Sequence, residues 1–298
     1  MEKEELEFLK QSGRLAAKAL RKGTEMIKPG ASVVQILDEV EKFIYDNKAI
    51  PAFPAQISIN NVAAHFCPED SDKIEIKEDD VVKLDLGVSV EGYISDNART
   101  TCVNGHDDLV KASRDALNSA LKLVRPGIQV SEIGKVIHET IDSYGFSPVR
   151  NLTGHGLERY EIHAPPSIPN FDTGESYELE EDDVIAIEPF ASDGAGIVYE
   201  SSNPTVFTLV HEKPTRSMMT RQVLAEIKKY QGLPFTTRWL MRKFGVGKVN
   251  FALREMYEKD MLQAHPPLLD KGKGLVSQAE HSMIVREKLI VYTKEEDD

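Results

Sequence analysis

The chain contains one internal repeat, at an interval of about a hundred residues. Residues 75–85 recur as residues 178–188 at an offset of 103, and Pro29-Gly30 recurs as Pro126-Gly127 at an offset of 97. The two offsets differ by six residues, which one small insertion explains. A duplicated unit of this size predicts two similar halves related by a pseudo-twofold axis.

Each half, residues 1–104 and 105–210, predicts two helices that are divided by a Pro-Gly break and followed by strands. Glu91-Gly92 separates two runs of strand-forming residues and predicts a two-residue hairpin turn. Because hairpins join antiparallel strands, we expect an α+β fold with a curved, mostly antiparallel sheet and helices on its outer face. Apolar residues recur at helical spacing over residues 4–22, 31–47, 107–124 and 130–144.

Residues 212–267 lose the repeat and interrupt what we expect to be one main domain, residues 1–211 and 268–298. Within residues 213–248, nine lysines and arginines accompany a single acid, Glu226, although the whole chain has a net charge of −13. This basic segment is either a solvated helical face or a docking surface for an anionic partner such as ribosomal RNA. Helical patterns predict a winged-helix-like subdomain with helices over residues 217–230, 235–244 and 248–259, after which strands return and the chain ends in an acidic tail.

Composition excludes several classes of protein. The net charge of −13 argues against general binding to nucleic acid or to anionic membranes. Cys67 and Cys102 form neither a CxxC motif nor a paired framework, so a disulfide scaffold is excluded. The first residues are acidic where a secretory leader is basic, and no run approaches the ~18 apolar residues of a membrane span. We therefore expect a protein of the reducing cytoplasm.

Carboxylates occur where the predicted strands should be apolar. If Glu91-Gly92 is the turn, Asp85 lies opposite residue 98 and Asp96 is its diagonal neighbour on the same face. The repeat places Glu188 at the position equivalent to Asp85 in the second half. A single strand aspartate is more often at a sheet edge or in an ion pair, but three acids predicted at one centre would repel unless cations neutralise them.

Two further residues complete a candidate metal site. Glu280 precedes another strand pattern, and His155 stands between two glycines. Carboxylates with one imidazole suit divalent Mn, Fe, Co or Zn, and four acids suffice to bridge two ions, an arrangement that activates water for hydrolysis. Residues 138–142 lack the second histidine of an HExxH motif, and no GxSxG occurs.

These residues resemble the pita-bread superfamily of metal-dependent aminopeptidases and prolidases (peptidase family M24), and within it the archaeal sort of type II methionine aminopeptidases. The inserted helical segment between Glu188 and Glu280 resembles the insertion that distinguishes type II enzymes within this family. The resemblance covers nearly the whole chain and rests on residues 52–54, 58–65, 83–87, 95–96, 154–155, 163–170, 187–190 and 278–281. Ala279 and Ser282 depart from the family's usual aromatic and threonine, which leaves the local packing of the pocket open.

The resemblance implies two divalent metal ions bound by five residues, with Asp96 and Glu280 bridging them. It implies that His163 bonds the scissile carbonyl, that His65 contacts the backbone after the cleaved bond, and that Glu188 shuttles a proton. The implied ligands are Asp85, Asp96, His155, Glu188 and Glu280.

The implied substrate is the N-terminal methionine of nascent chains, with a small second residue and with Phe53 and Ile162 in the apolar S1 pocket. The implied protein is a cytoplasmic monomer that does not bind membranes. Two alternatives stay open: an X-Pro peptidase of the same fold, and a non-catalytic pita-bread protein that binds nucleic acid or ribosomes. We expect packing or surface roles for His106, His138, His211 and His265, and leave His281 undecided.

Overall fold

The computed structural model describes residues 1–201 and 203–294, so the expected acidic tail after Lys294 lies outside the described residues. This part of the chain has seven α-helices: Lys3–Met26 (α1), Val33–Asp46 (α2), Asp107–Leu121 (α3), Val130–Ser143 (α4), Met218–Ile227 (α5), Thr237–Phe244 (α6) and Val246–Glu258 (α7). None of these helices combines the length and the apolar character needed to cross a lipid bilayer.

The strands form several small sheets. Every pairing between them is antiparallel, which confirms the α+β class. The strands are Ile50–Ile59 (β1), Val62–Ala64 (β2), Val81–Val90 (β3), Tyr93–Cys102 (β4), Ser147–Pro148 (β5), Thr153–Glu158 (β6), Glu161–Pro169 (β7), Val184–Ile187 (β8), Phe190–Ser192 (β9), Val198–Glu200 (β10), Val206–Leu209 (β11), Phe235–Thr236 (β12), Leu262–His265 (β13), Leu268–Asp270 (β14), Val276–Gln278 (β15), His281–Ile284 (β16) and Ile290–Val291 (β17).

Each half buries the apolar faces of two helices against its own strands. Leu20 of α1 and Val40 of α2 share one core with Leu84 of β3. In the second half, Ile137 of α4 shares a separate core with Ile185 of β8. The helical apolar spacing therefore becomes two packed layers, with the strands on the inside and the helices on the outside.

The β3–β4 hairpin has the predicted turn. Glu91 and Gly92 both have positive φ, 52° and 89°, as a two-residue turn between twisted antiparallel strands requires. Asp85 pairs with Ala98, as the sequence predicts. The hairpin therefore presents the side chains of alternate residues, including Asp85, toward the middle of the molecule.

The inserted segment has a hydrophobic core of its own. Helices α5–α7 pack on a three-stranded sheet in the order β12-β11-β13, so this unit draws in strand β11, upstream of the expected boundary at residue 212. The helix expected over 235–244 begins only at Thr237, because residues 235–236 pair with β11 and the Thr236 hydroxyl accepts the Arg238 amide hydrogen at 3.3 Å. Gly247, expected in a break, lies inside α7.

A buried arginine ties the inserted segment to the first half. The Arg238 guanidinium, on α6, donates to Asp38 and, at 2.9 Å, to Glu41, both on α2. Trp239 Nε1 donates to the other Glu41 oxygen at 2.8 Å, and Arg242 pairs with Asp38 at 2.8 Å. Since a buried charge is tolerated only with partners of this kind, the cluster fixes α6 against α2.

Candidate metal centre

The two halves meet at a cavity of about 440 Å³. Two of its walls come from the paired halves, and a third comes from the inserted segment through Val206, Pro234 and His265. The structure brings to this one cavity every residue for which the sequence suggested a site role: Phe53, His65, Asp85, Asp96, His155, Ile162, His163, Glu188 and Glu280.

The β3–β4 hairpin and the link between β15 and β16 place three of the acids. Asp85 and Asp96 are diagonal neighbours, because Asp85 pairs with Ala98 and Gly87 pairs with Asp96. The Glu280 amide donates to the Ala98 carbonyl at 3.0 Å, which brings the β15–β16 link beside the hairpin. The three carboxylates therefore line the same cavity.

The second half supplies Glu188 and His155. A Cβ at Gly156 would lie 2.0 Å from the Pro165 carbonyl oxygen, so β6 can approach β7 this closely only with glycine there. His155 Nδ1 lies 3.1 Å from the Gly156 carbonyl oxygen, while Nε2 lies 3.6 Å from Asp96 Oδ2 and 3.8 Å from Glu188 Oε1. With Nδ1–H donated to that carbonyl, the Nε2 lone pair faces two carboxylates, and a shared cation would satisfy all three acceptors.

The acids are crowded and incompletely hydrogen-bonded. Among the described residues, Asp85 Oδ1, Asp96 Oδ1 and both Glu280 oxygens are buried without a partner. Desolvation raises the pKa of Asp85 to about 7. Desolvation and the neighbouring carboxylates raise the pKa values of Asp96, Glu188 and Glu280 well above the ordinary range. Buried acceptors of like charge in this number are costly unless cations bind between them.

The donor set fits a divalent metal. Asp96, His155 and Glu280 each offer one ligand atom, and these atoms lie within 4.8 Å of one another. Glu188 and Asp85 complete the ring of carboxylates around them. Carboxylate oxygens with a single neutral imidazole are ligands that Mn, Fe, Co and Zn accept.

Sequence reasoning missed Gln278, which contacts two of the acids. Its Nε2 lies 3.2 Å from Glu188 Oε2 and 3.4 Å from Asp85 Oδ2. The signal was present, because a glutamine in a strand pattern two residues before Glu280 is as unusual as the acids that we singled out.

Three more histidines surround the cavity. His65, with a positive φ of 65°, donates its amide to Gln56 Oε1 at 2.9 Å. The His163 ring centroid lies 4.7 Å from that of His155. We expected a packing or surface role for His265, and the structure places its ring in the cavity wall, 6.0 Å from His65 and 6.5 Å from His163, with Nε2 2.8 Å from the Thr208 hydroxyl. Its place depends on how the inserted segment returns to the main domain, which no local pattern encodes.

Desolvation keeps these imidazoles neutral. It is the largest cause that lowers the pKa of His65 to about 3, together with the neighbouring rings of His265 and His163. Desolvation likewise lowers the pKa of His163, and lowers that of His155 to about 3. At neutral pH each ring therefore offers one N–H donor and one lone pair.

The apolar end of the cavity is built around Phe53 and Ile162. Both are buried, and they pack in one cluster with Ile94, Leu157 and Leu233. Ala279 packs into the core of the second half, and the Ser282 hydroxyl donates to the Asp96 carbonyl at 2.7 Å. Neither of these departures from the family pattern lines the cavity.

Comparison with known proteins gives concordant results. The family model described as metallopeptidase family M24 matches residues 7–214. A methionine aminopeptidase of Archaeoglobus fulgidus is 43% identical over 288 residues, which cover 96% of this chain and 97% of the relative.

Two solved structures share the fold. A methionine aminopeptidase from Thermotoga maritima has a TM-score of 0.73 at 24% identity, over 99% of this chain and 98% of the other. A thermophilic Arx1 has a TM-score of 0.88 at 16% identity, over 99% and 92%. At these identities the two likenesses show the fold alone. The sequence matches carry the assignment further: the family model spans well over half of the residues, the archaeal relative aligns almost end to end, and the chain belongs to metallopeptidase family M24.

Proposed function

We propose that this chain is a methionine aminopeptidase that removes the N-terminal methionine from nascent proteins with the help of divalent metal ions. The observation that carries the proposal is the convergence of four carboxylates and one neutral imidazole, drawn from both halves, on one cavity. Archaeal relatives of about the same length bear that name at 43% identity, as in Archaeoglobus fulgidus and Thermococcus onnurineus.

The proposed ligands are the five residues that the family resemblance implies. The resemblance implies that Asp96 and Glu280 would be shared by the two ions, and Glu280 offers two partnerless oxygens. Asp85, His155 and Glu188 would be the further ligands, and Asp96 Oδ2 and Glu188 Oε1 both face the His155 Nε2 atom. When bound, divalent ions of Mn, Fe, Co or Zn supply Lewis-acid polarisation of the carbonyl and lower the pKa of water.

The chain's own groups handle the protons and the developing charge. The Glu188 carboxylate faces the cavity, with Oε1 3.8 Å from His155 Nε2, and would take a proton from the attacking water and pass it to the leaving nitrogen. His163, neutral at pH 7, donates to the scissile carbonyl and to the oxyanion it becomes. His65 contacts the backbone after the cleaved bond.

The shape of the cavity agrees with a methionine side chain. Phe53 and Ile162 provide an apolar slot in which a flexible thioether can lie. The neutral imidazoles beside it place no positive charge against the substrate's α-amine. A small second residue is preferred, because the rings of His65, His163 and His265 crowd the rest of the cavity.

We further propose that residues 1–211 and 268–298 form the catalytic domain, with repeats over 1–104 and 105–210, and that residues 212–267 form the inserted subdomain of a cytoplasmic monomer.

We also propose that the basic segment 213–248 docks on the ribosome, but through fewer residues than its charge alone indicates. Six of its nine basic residues pair with acids of the chain: Lys213, Lys228, Lys229, Arg238, Arg242 and Lys243. The other three, Arg216, Arg221 and Lys248, are the candidates for contact with RNA.

The proposal is tested with Met-Gly peptides and metal-free enzyme to which Mn²⁺ or Co²⁺ is added back. Since removal of a group that only orients a ligand already costs about 10–100-fold, we expect Asp85→Ala and Glu280→Ala to lose more than ~100-fold in kcat/KM. Near wild-type turnover by Asp85→Ala would refute the proposed site. Faster cleavage of X-Pro than of Met-Gly peptides would favour the X-Pro peptidase, and full ribosome binding with no turnover of either peptide would favour a non-catalytic protein.

A further inference from the structure

We infer that Gln278 is a positioning residue that holds Asp85 and Glu188 as one ligand pair and thereby sets the metal affinity of the site. This inference rests on the proposed function. Asp85 comes from the first half of the chain and Glu188 from the second. A single carboxamide thus joins the two halves at the cavity.

The backbone of Gln278 is fixed from both sides of its strand. The Thr100 hydroxyl of β4 donates to the Gln278 carbonyl at 2.6 Å and accepts the Gln278 amide at 2.7 Å. Gln278 also pairs with Phe190 of β9. The preceding residue, Ser277, donates its hydroxyl to the Leu109 carbonyl of α3 at 2.7 Å. Because β4, β9 and α3 hold this strand, the backbone position from which the Gln278 side chain extends is fixed.

The carboxamide uses one oxygen of each acid and leaves the other for a metal. Gln278 Nε2 lies 3.4 Å from Asp85 Oδ2 and 3.2 Å from Glu188 Oε2, so its two hydrogens can serve one carboxylate each. Asp85 Oδ1 is buried with no partner, and Glu188 Oε1 lies 3.8 Å from His155 Nε2. Gln278 is therefore a donor that both carboxylates share.

A neutral donor is suited to this place. Asp85 and Glu188 repel each other when both are ionised, and a shared N–H₂ group lets them stay close without a charge of its own. A lysine there would compete with the metal for the same oxygens. A neutral amide instead orients the two carboxylates before a metal ion binds. Groups that form hydrogen bonds to metal ligands raise the affinity for the metal in this way.

The rest of the carboxamide argues against a packing role. Gln278 Oε1 is buried with no hydrogen-bond partner among residues 1–201 and 203–294. A buried polar atom without a partner destabilises the fold, so a residue selected for packing alone would be apolar. The two bonds to the carboxylates are the contacts that distinguish glutamine from leucine at this position.

The test is direct metal titration of metal-free protein by calorimetry with Mn²⁺, and it does not depend on peptidase activity. We expect Gln278→Leu to bind Mn²⁺ about 10–100-fold more weakly than the wild type. The thermal unfolding midpoint of Gln278→Leu in chelator should fall only slightly, because removal of the partnerless Gln278 oxygen offsets part of the cost of leaving Asp85 Oδ2 and Glu188 Oε2 without their donor.

Gln56→Leu is the matched control. Gln56 is also a buried glutamine, and it pairs with Asp85 across β1 and β3, but its side-chain oxygen accepts the His65 amide. Its replacement should leave Mn²⁺ affinity within about twofold of the wild type. If Gln278→Leu fails to fold, Gln278→Met carries the same expectation with a more flexible side chain.

The outcomes separate the two proposals. A wild-type protein that binds no divalent cation refutes the proposed function. A wild type that binds Mn²⁺ while Gln278→Leu and Gln278→Met bind it equally well refutes only the positioning role, as would a drop in unfolding midpoint with unchanged affinity. Weaker binding by both variants, with the control unaffected, supports it.

Discussion

Replacement of Gly87 by alanine would push the Phe53 ring into the apolar slot. A Cβ on residue 87 would lie 2.4 Å from Phe53 Cε1 and 2.7 Å from Cδ1. Carbon atoms pack at about 3.5–4.0 Å, so the ring must move by roughly 1 Å or more. The Ala52 Cβ, 3.0 Å from the same point, adds a second close contact from β1.

Gly87→Ala should lower both the stability of the fold and the kcat/KM for methionine substrates. Overpacking of this kind destabilises by about 1–3 kcal/mol, which urea unfolding would measure. A slot made shorter by about one methylene discriminates against the longer side chain by about 10–200-fold. We therefore expect kcat/KM for Met-Gly peptides to fall at least ~10-fold relative to that for Ala-Gly peptides, on enzyme reconstituted with the same metal.

Two controls accompany this experiment: a double variant and a substitution at a second glycine. Gly87→Ala combined with Phe53→Leu should recover much of the lost stability, because the shorter side chain removes the clash, and the two effects should not add. Gly247→Ala, whose Cβ would meet nothing within 4 Å, should leave the ratio of the two peptides unchanged. An unaltered ratio in folded Gly87→Ala would refute the assignment of Phe53 to the methionine slot.

Three further predictions concern metal, charge and pH. Addition of Mn²⁺ at 100 times its Kd to chelator-treated protein should add about 2.7 kcal/mol of stability; an unchanged melting temperature would contradict a preformed site. Arg238→Ala should lower the free energy of unfolding by about 3–5 kcal/mol in denaturant, because it leaves Glu41 buried without its charged partner. If Arg238→Ala alone loses less stability than the double variant Arg238→Ala/Glu41→Gln, the unpaired Glu41 charge is not the cause. Burial by itself would raise the pKa of Asp270, but backbone amides, including those of Ala195 and Gly274, and the Ser192 hydroxyl lower it below its usual value. Because the folded-state pKa is depressed, the stability from Asp270 is present above the ordinary aspartate pKa of ~4 and is lost as pH falls through the lower value, so Asp270→Asn should flatten the acid limb of the stability curve.

The repeat and the hairpin made much of the fold predictable. Residue offsets identified Glu188 as the counterpart of Asp85, and period-two geometry across Glu91-Gly92 placed Asp96 beside it. These inferences used only local regularities and one duplication. The helix ends were less accurate, since α6 begins where Thr236 leaves a strand pairing that lies outside any helical pattern.

The remaining features depend on contacts between distant segments. His265 reaches the cavity because β13 pairs with β11 and returns the chain beside His65. Gln278 contacts Asp85 across 193 residues and Glu188 across 90. Neither contact leaves a periodic trace in the sequence. The polar residue in a strand pattern marks Gln278 as unusual, but its two partners follow only from the tertiary structure.

The Arg238 cluster limits how the chain could be shortened. Glu41 receives its hydrogen bonds from Arg238 and Trp239, both of which lie in the inserted segment. A version trimmed of that segment would lose both donors and would also uncover the part of α2 on which Arg238 and Trp239 now lie. A minimal, insert-free enzyme made from this chain therefore has to carry side chains suited to water on that part of α2.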